Sequence, residues 1–276
     1  MKRSIDDFTP QEKQIIYEMF LEGFPVQYIA WLTNLTYYEV LYCLQDRLKN
    51  LNVNSIIHGA FVDEEQVLVM ADTHIGSKYE NFDYIKEAQK FALDNKIHTI
   101  FHAGDIIQST CSNVMEEYRN EEDQVEHLVQ DFPYDPSIRY IMIFGNHDWH
   151  TFANNKKCMD IFSSRKDFYL LGTEFGFINW RGSTICLFHP VKRYPLEMPR
   201  VKKIVMTYRG HSHNLQYSGS GTTYVSTLSD DPVSKDTVMP GFLVSTNDND
   251  YLSVDSYFFK DSLHYGGKIQ HKKLYK

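Results

Sequence analysis

Apolar positions along the chain follow two different rhythms. Over roughly the first fifty residues they recur at helical spacing: Ile15, Ile16, Met19 and Phe20, then Tyr28, Ile29 and Leu32, then Val40, Leu41, Leu44 and Leu48. Two of these runs open on capping boxes, Thr9-Pro10-Gln11-Glu12, with proline at the first helical position, and Thr36-Tyr37-Tyr38-Glu39. Gly23 marks a stop for the first helix. Three short helices with tight connections predict a helix-turn-helix-like unit. The polar stretch Asn50-Leu51-Asn52-Val53-Asn54-Ser55 reads as a linker, giving an expected small all-α domain over residues 1–55 and a second domain over 56–276.

Beyond residue 56 the rhythm changes to short β-rich apolar runs alternating with helical segments, which predicts an α/β domain. The runs are 66–71, 99–101, 140–144, 185–188 and 204–206. Phe82 to Asn95, with Ile85, Ala88, Gln89 and Ala92 on one side, reads as a crossover helix, and Met115 to Phe132 as a very acidic one. Trp180-Arg181-Gly182-Ser183 and Asn247-Asp248-Asn249-Asp250 are hairpin turns between apolar strands. The basic end, residues 268–276, is a last strand or a tail.

Each of the five β-rich runs is followed by a polar block: Asp72-Thr73-His74, Gly104-Asp105, Gly145-Asn146-His147-Asp148, His189 and Gly210-His211-Ser212-His213. All supply oxygen or imidazole donors, which suit hard-to-borderline divalent metals. Ligands delivered from the ends of five strands predict a metal site along the edge of a sheet. The ligand set contains no cysteine, which disfavours a purely structural zinc site. Hydrolysis of a phosphate ester needs charge neutralisation on the non-bridging oxygens, an activated water and help for the leaving oxygen. Two metals side by side supply the first two.

The five blocks, in this order from Asp72 to His213, resemble the calcineurin-like metallophosphoesterase superfamily. That resemblance implies a two-sheet β-sandwich flanked by helices and two divalent metal ions, with manganese first and iron or zinc as alternatives. Matched position by position, Asp72, His74 and His213 would bind the first metal and Asn146, His189 and His211 the second, with Asp105 bridging. His147 matches the family's non-ligand histidine, which stabilises the transition state or protonates the leaving group. The implied activity is a phosphodiesterase in which a metal-bridging hydroxide attacks phosphorus in line. The strings Asp72-Thr73-His74-Ile75-Gly76 and Gly145-Asn146-His147-Asp148 look most like the branch containing DNA-repair nucleases, so nucleic acid or a nucleotide leads as substrate class. The alternatives are a phosphomonoesterase, or a DNA-binding or protein-docking module carried on an inactive phosphoesterase scaffold.

Around that set, Asp148 is expected to orient ligands and Arg209 is a candidate phosphate contact, while His150 either packs or contacts substrate from the loop after Asp148. Arg119 reads as a surface residue and His102 has no firm role. Ordinary surface or core roles account for His58, His98, His127, His264 and His271.

Charge narrows the partners. The chain carries a formal net charge of −8, which argues against a general nucleic-acid coat. Five basic against seven acidic residues in the first fifty leave the helical unit without a basic footprint, so docking to the catalytic domain, a protein partner or a second copy is the leading expectation there. The four cysteines are widely spaced, as expected of free thiols in a reducing compartment. The first residues lack the apolar stretch of a signal peptide, and no run approaches the ~20 apolar residues of a membrane span. A cytoplasmic protein with no membrane contact is expected.

Overall fold

The structure, a computed structural model, describes residues 8–21, 29, 32–33, 35, 39–40, 43–44, 59–110, 120–153, 155–190, 204–218, 221–230, 239–248 and 250–272. Two mixed sheets face one another. The first has the order β1 (Ala60–Val62), β6 (Phe175–Trp180), β7 (Ser183–Phe188), β8 (Ile204–Arg209), β10 (Thr222–Tyr224), β9 (Gln216–Ser218). The second runs β13 (Ser262–Lys272), β12 (Tyr251–Lys260), β11 (Gly241–Asn247), β2 (Gln66–Met70), β3 (Thr99–His102), β4 (Arg139–Phe144), β5 (Phe168–Thr173). In it β2 to β5 are parallel, and β11 returns antiparallel to β2.

The apolar runs are nearly continuous because the parallel strands are covered on both faces. On β2, Val67 and Val69 point between the sheets and meet Phe101, Ile143, Ile185, Leu187 and Trp180. Leu68 and Met70 point the other way, onto helices α2 (Phe82–Asp94), α3 (Glu121–Asp131) and α5 (Lys156–Phe162). The result is the two-sheet sandwich flanked by helices that the sequence implies. No helix among the described residues is long and apolar enough to cross a membrane.

Both expected hairpins are present, β6–β7 and β11–β12, and residues 268–272 of the basic end pair along β12 as part of β13, while 273–276 lie outside the described residues. The acidic helix starts later than its composition suggests. Asn120 accepts a hydrogen bond from the Asp123 amide at 2.7 Å and caps the helix at Glu121, while Glu116 and Glu117 lie outside the described residues. Strands β1, β5, β9 and β10 and helix α5 carry no pattern strong enough to be read beforehand; β1, β9 and β10 span only three residues each.

At the other end of the chain, the Thr9–Glu12 capping box forms, and helix α1 (Pro10–Leu21) follows it. Ile16 is fully buried in a third cluster with Ile29, Leu35, Val40, Cys43 and Leu44. The connections that would define a helix-turn-helix, and the linker at 50–55, lie outside the described residues. Another short helix, α4 (Asn146–Phe152), leaves the end of β4 and carries three residues of the third polar block on its first turn.

Trp180 anchors the inter-sheet core: it is fully buried, edge-on to Phe101 at 6.1 Å, and donates Nε1–H to the Glu64 carbonyl at 2.6 Å. Trp180→Ala is expected to lower stability by about 3–5 kcal/mol, read from urea denaturation midpoints.

Candidate metal centre

All five polar blocks follow the strands expected to carry them, but those strands belong to two sheets. Asp72, Asp105 and Asn146 follow β2, β3 and β4 of one sheet; His189 and His211 follow β7 and β8 of the other. The expectation of a site along one sheet edge is corrected accordingly: the site lies where the strand ends of the facing sheets converge. Backbone hydrogen bonds join the loops, from the Asp72 amide to the Gly104 carbonyl at 3.0 Å and from the His74 amide to the Asp105 carbonyl at 3.2 Å.

Turning the chain at these ends takes left-handed backbone. Asp72 (φ 53°), His74 (45°), Asp105 (53°), His211 (79°) and His213 (56°) all have positive φ. Such conformations are uncommon outside glycine and cluster at functional sites. Gly145 has φ −95°, which any residue adopts, so backbone freedom is not its role here. A Cβ at that position would lie 2.3 Å from Asp105 Oδ1 and 2.8 Å from the His189 ring. Only glycine lets the start of α4 approach the carboxylate so closely.

The side chains form two linked groups. Asp72, His74 and His213 converge, with His74 Nε2 3.2 Å from His213 Nε2 and His213 Nε2 3.7 Å from Asp72 Oδ1. Asp105, His189 and His211 form the second, with His189 Nε2 3.0 Å from Asp105 Oδ2. Asn146 Oδ1 joins it, 3.1 Å from His189 Nε2 and 2.9 Å from His211 Nδ1. Asp105 also groups with His74 and His147, so it reaches both halves.

The surrounding atoms hold these groups in place. His189 Nδ1 donates to the Ala103 carbonyl at 2.8 Å, turning Nε2 into the site. His147 Nδ1 donates to the Gln108 carbonyl at 2.6 Å, and its amide donates to Asp105 Oδ1 at 2.9 Å. Asp148, fully buried, accepts from the amides of Gly145, Ile106 and Ile107 at 2.8–2.9 Å and so ties the loop after β3 to the start of α4. The Asp72 carbonyl accepts from Thr227 Oγ1 at 2.7 Å, and the Asp72 carboxylate from the His211 amide at 3.0 Å. Gln108 and Thr227 lie outside every recognisable block and act through a carbonyl and a hydroxyl, so no residue-type signal marks them.

Two expected neighbours make no hydrogen bond to the cluster among the described residues, although the charge of Arg209 acts on His211. His150 is exposed on α4. Arg209 is held between the rings of Phe188 (5.2 Å) and Tyr224 (5.1 Å), its Nε buried without a hydrogen-bond partner. Arg119 lies outside the described residues. His102 is buried beneath the site, with Nε2 3.1 Å from Thr73 Oγ1.

Electrostatics separate the buried groups. Burial alone would push the Asp105 carboxyl up, but the His189, His147 and His74 imidazoles outweigh it and hold it well below the usual carboxylate range. Burial would likewise depress His189, yet Asp105 and Asp72 raise it to about 9. Desolvation raises Asp72 to about 6 despite His213 and His189. Desolvation and the charge of Asp105 raise Asp148 to about 7, against the backbone amides that favour its ionised form. Burial carries His74 well below its ordinary value; partial desolvation and the charge of His189 take the more exposed His211 to about 4.

These residues fit divalent cations. Two carboxylates, an amide oxygen and four imidazoles form a hard-to-borderline donor set. His74 Nδ1 is buried without a hydrogen-bond partner, and His189 needs a proton on Nε2 to balance Asp105 in the protein alone. A cation between the two groups would take over that balance.

The family model for calcineurin-like phosphoesterase matches residues 66–239 and so spans every block. No curated protein matches the chain. Among solved structures, vacuolar protein sorting 29 from Cryptosporidium parvum is 16% identical with a TM-score of 0.46, over 76% of this chain and 98% of that one. Yfce, a phosphoesterase from E. coli, is 12% identical with a TM-score of 0.45, over 74% and 98%. The Pseudomonas putida nuclease MPE is 11% identical with a TM-score of 0.34, over 70% and 84%.

The His189 shift sets a pH dependence for the metal-free protein. Its folded value of about 9 lies above the ordinary 6.5, so its stabilisation is complete below 6.5 and lost as pH rises through about 9. Asp148, raised from 3.8 to about 7, acts with the same sign over its own window, because the folded state holds its proton longer. Chelator-treated protein should therefore melt at a lower temperature near pH 9 than near pH 6.5, and saturating manganese should flatten or reverse that trend, since ligation needs unprotonated Nε2. Scanning calorimetry across this range checks it; a melting temperature that rises with pH in the metal-free protein contradicts it.

Proposed function

Because the chain belongs to the calcineurin-like phosphoesterase family, we propose that it is a two-metal phosphodiesterase acting on nucleic acid or a nucleotide. The observation that carries this reading is Asp105, which belongs both with His74 and His147 and with His189 and His211. One metal would be held by Asp72, His74 and His213 and the other by Asn146, His189 and His211, with Asp105 shared. Two bound divalent ions would neutralise charge on the ester and lower the pKa of water at neutral pH.

The chain's own groups account for the remaining work. His147 has Nδ1–H tied to the Gln108 carbonyl, which leaves Nε2 to pass a proton to the departing oxygen. Its amide on Asp105 keeps the general acid in register with the bridging carboxylate. Asp148 fixes both loops at once, and the Ala103 carbonyl holds the His189 ring at its angle. Arg209, pinned between two rings and one residue before Gly210, is a preformed cation for a non-bridging oxygen. The strings Asp72-Thr73-His74-Ile75-Gly76 and Gly145-Asn146-His147-Asp148 support the diester assignment by their resemblance to the repair-nuclease branch. Manganese is the first ion to test, with iron and zinc as alternatives. A division into a helical domain over 1–55 and a phosphoesterase domain over 56–276 is supported by the cluster of N-terminal side chains around Ile16, which meets the second domain at Trp149.

The test is hydrolysis of an aryl phosphodiester with manganese, beside the matched monoester. Wild type should turn over the diester, and His147→Ala should lower kcat by about 10²–10⁴-fold while leaving manganese affinity nearly unchanged. Preference for the monoester would make the protein a phosphatase, and failure on both esters with manganese, iron and zinc would leave a non-catalytic scaffold.

A further inference from the structure

Helix α4 carries Asn146 and His147 on its first turn, yet it is only seven residues long. A helix of that length has little stability of its own, so packing must hold it. Its inner side is well fixed. Asp148 binds three backbone amides, Thr151 is fully buried, and Phe152 stacks on Phe144 at 4.4 Å with the rings 3° from parallel. These contacts fix one face of the helix and leave the flank where Trp149 lies to a further contact.

Trp149 is half-buried and packs against the N-terminal cluster of Ile16, Ile29, Leu35, Val40, Cys43 and Leu44. It stands three residues after Asn146, so the two share a helix face one turn apart. Its amide donates to the Gly145 carbonyl at 3.0 Å, which closes the turn that presents Asn146 and His147. Among the described residues the N-terminal cluster thus reaches the first turn of α4 through Trp149, on a flank of the helix beside the face that Asp148, Thr151 and Phe152 bury.

We propose that the N-terminal helical cluster is a structural part of the catalytic site, acting as an in-cis clamp on α4, with Trp149 as the positioning residue that sets Asn146 and His147. The proposal rests on the functional reading above for its catalytic consequence and on the packing alone for its effect at Asn146. It gives the N-terminal segment a role that needs no nucleic-acid contact, in keeping with its net negative charge.

The experiment uses the full chain with three substitutions: Trp149→Ala, Trp149→Phe and, remote from the site, Ile16→Ala. Circular dichroism first verifies that each variant retains the sandwich. Manganese binding is then titrated calorimetrically, a readout that needs no turnover. Trp149→Ala and Ile16→Ala should each weaken the ion held with Asn146 by about 10-fold, the scale of disturbed outer-shell support, leave the other ion nearly unchanged, and together do little more than either alone. Trp149→Phe should recover most of the loss. If the diester is hydrolysed, kcat should fall with the affinity while KM stays within about twofold. Unchanged manganese affinity in both alanine variants overturns the clamp, as do independent effects that multiply in the double variant. An inactive wild type would sink the phosphodiesterase reading and leave the clamp to be decided by the titration.

Discussion

Asp72, Asp105 and Asp148 are all buried at one convergence of strand ends, and three carboxylates out of water set a charge problem for everything around them. Each is met differently. Asp105 is surrounded by imidazoles and stays ionised; Asp148 is met by three backbone amides; Asp72 has the His211 amide and the more distant His213 ring. The arrangement works because the loops holding these donors are the same loops the carboxylates join. Removing Asp148 would free the amides of Gly145, Ile106 and Ile107 together and loosen the start of α4 relative to the loop after β3.

The blocks could be read in the sequence because ligands at strand ends leave a simple trace, an apolar run broken by Asp, Asn or His. What could not be read is which sheet each strand joins. Thr184–Phe188 and Gln66–Met70 look alike as buried parallel strands, yet they lie in different layers, and only the pairing separates them. The later start of α3 was present in the sequence as Asn120, an N-cap residue hidden by the acidic run around it. Gly145 was legible as a glycine but not for its reason, since closeness to the Asp105 carboxylate is a tertiary fact. Gln108 and Thr227 were illegible in principle. Their contributions come from a carbonyl and from a distant hydroxyl brought beside Asp72 by the chain's return through β10 and β11.

The supporting positions divide in the same way. Asp148, an orienting residue by sequence, joins two loops through its backbone contacts. His150, further round the same short helix, is exposed to solvent. Their difference follows from helical geometry: positions 148, 151 and 152 share the buried face, and 150 falls outside it. Trp149 lies between these cases, neither ligand nor core of the sandwich.

The left-handed turns at Asp72, His74, Asp105, His211 and His213 change how this centre should be probed by mutagenesis. Asparagine and aspartate tolerate that backbone through local side-chain hydrogen bonds, whereas alanine pays roughly 1–2 kcal/mol for it. An alanine scan would thus confound two losses, the donor atom and the turn that presents its neighbours. Asparagine is the cleaner reagent at positions 72 and 105, because it keeps the turn while removing the charge. Sequence drift at these positions meets the same double filter, so the codons for Asp and Asn are the near neighbours through which the ligand set can change without first dismantling the loop.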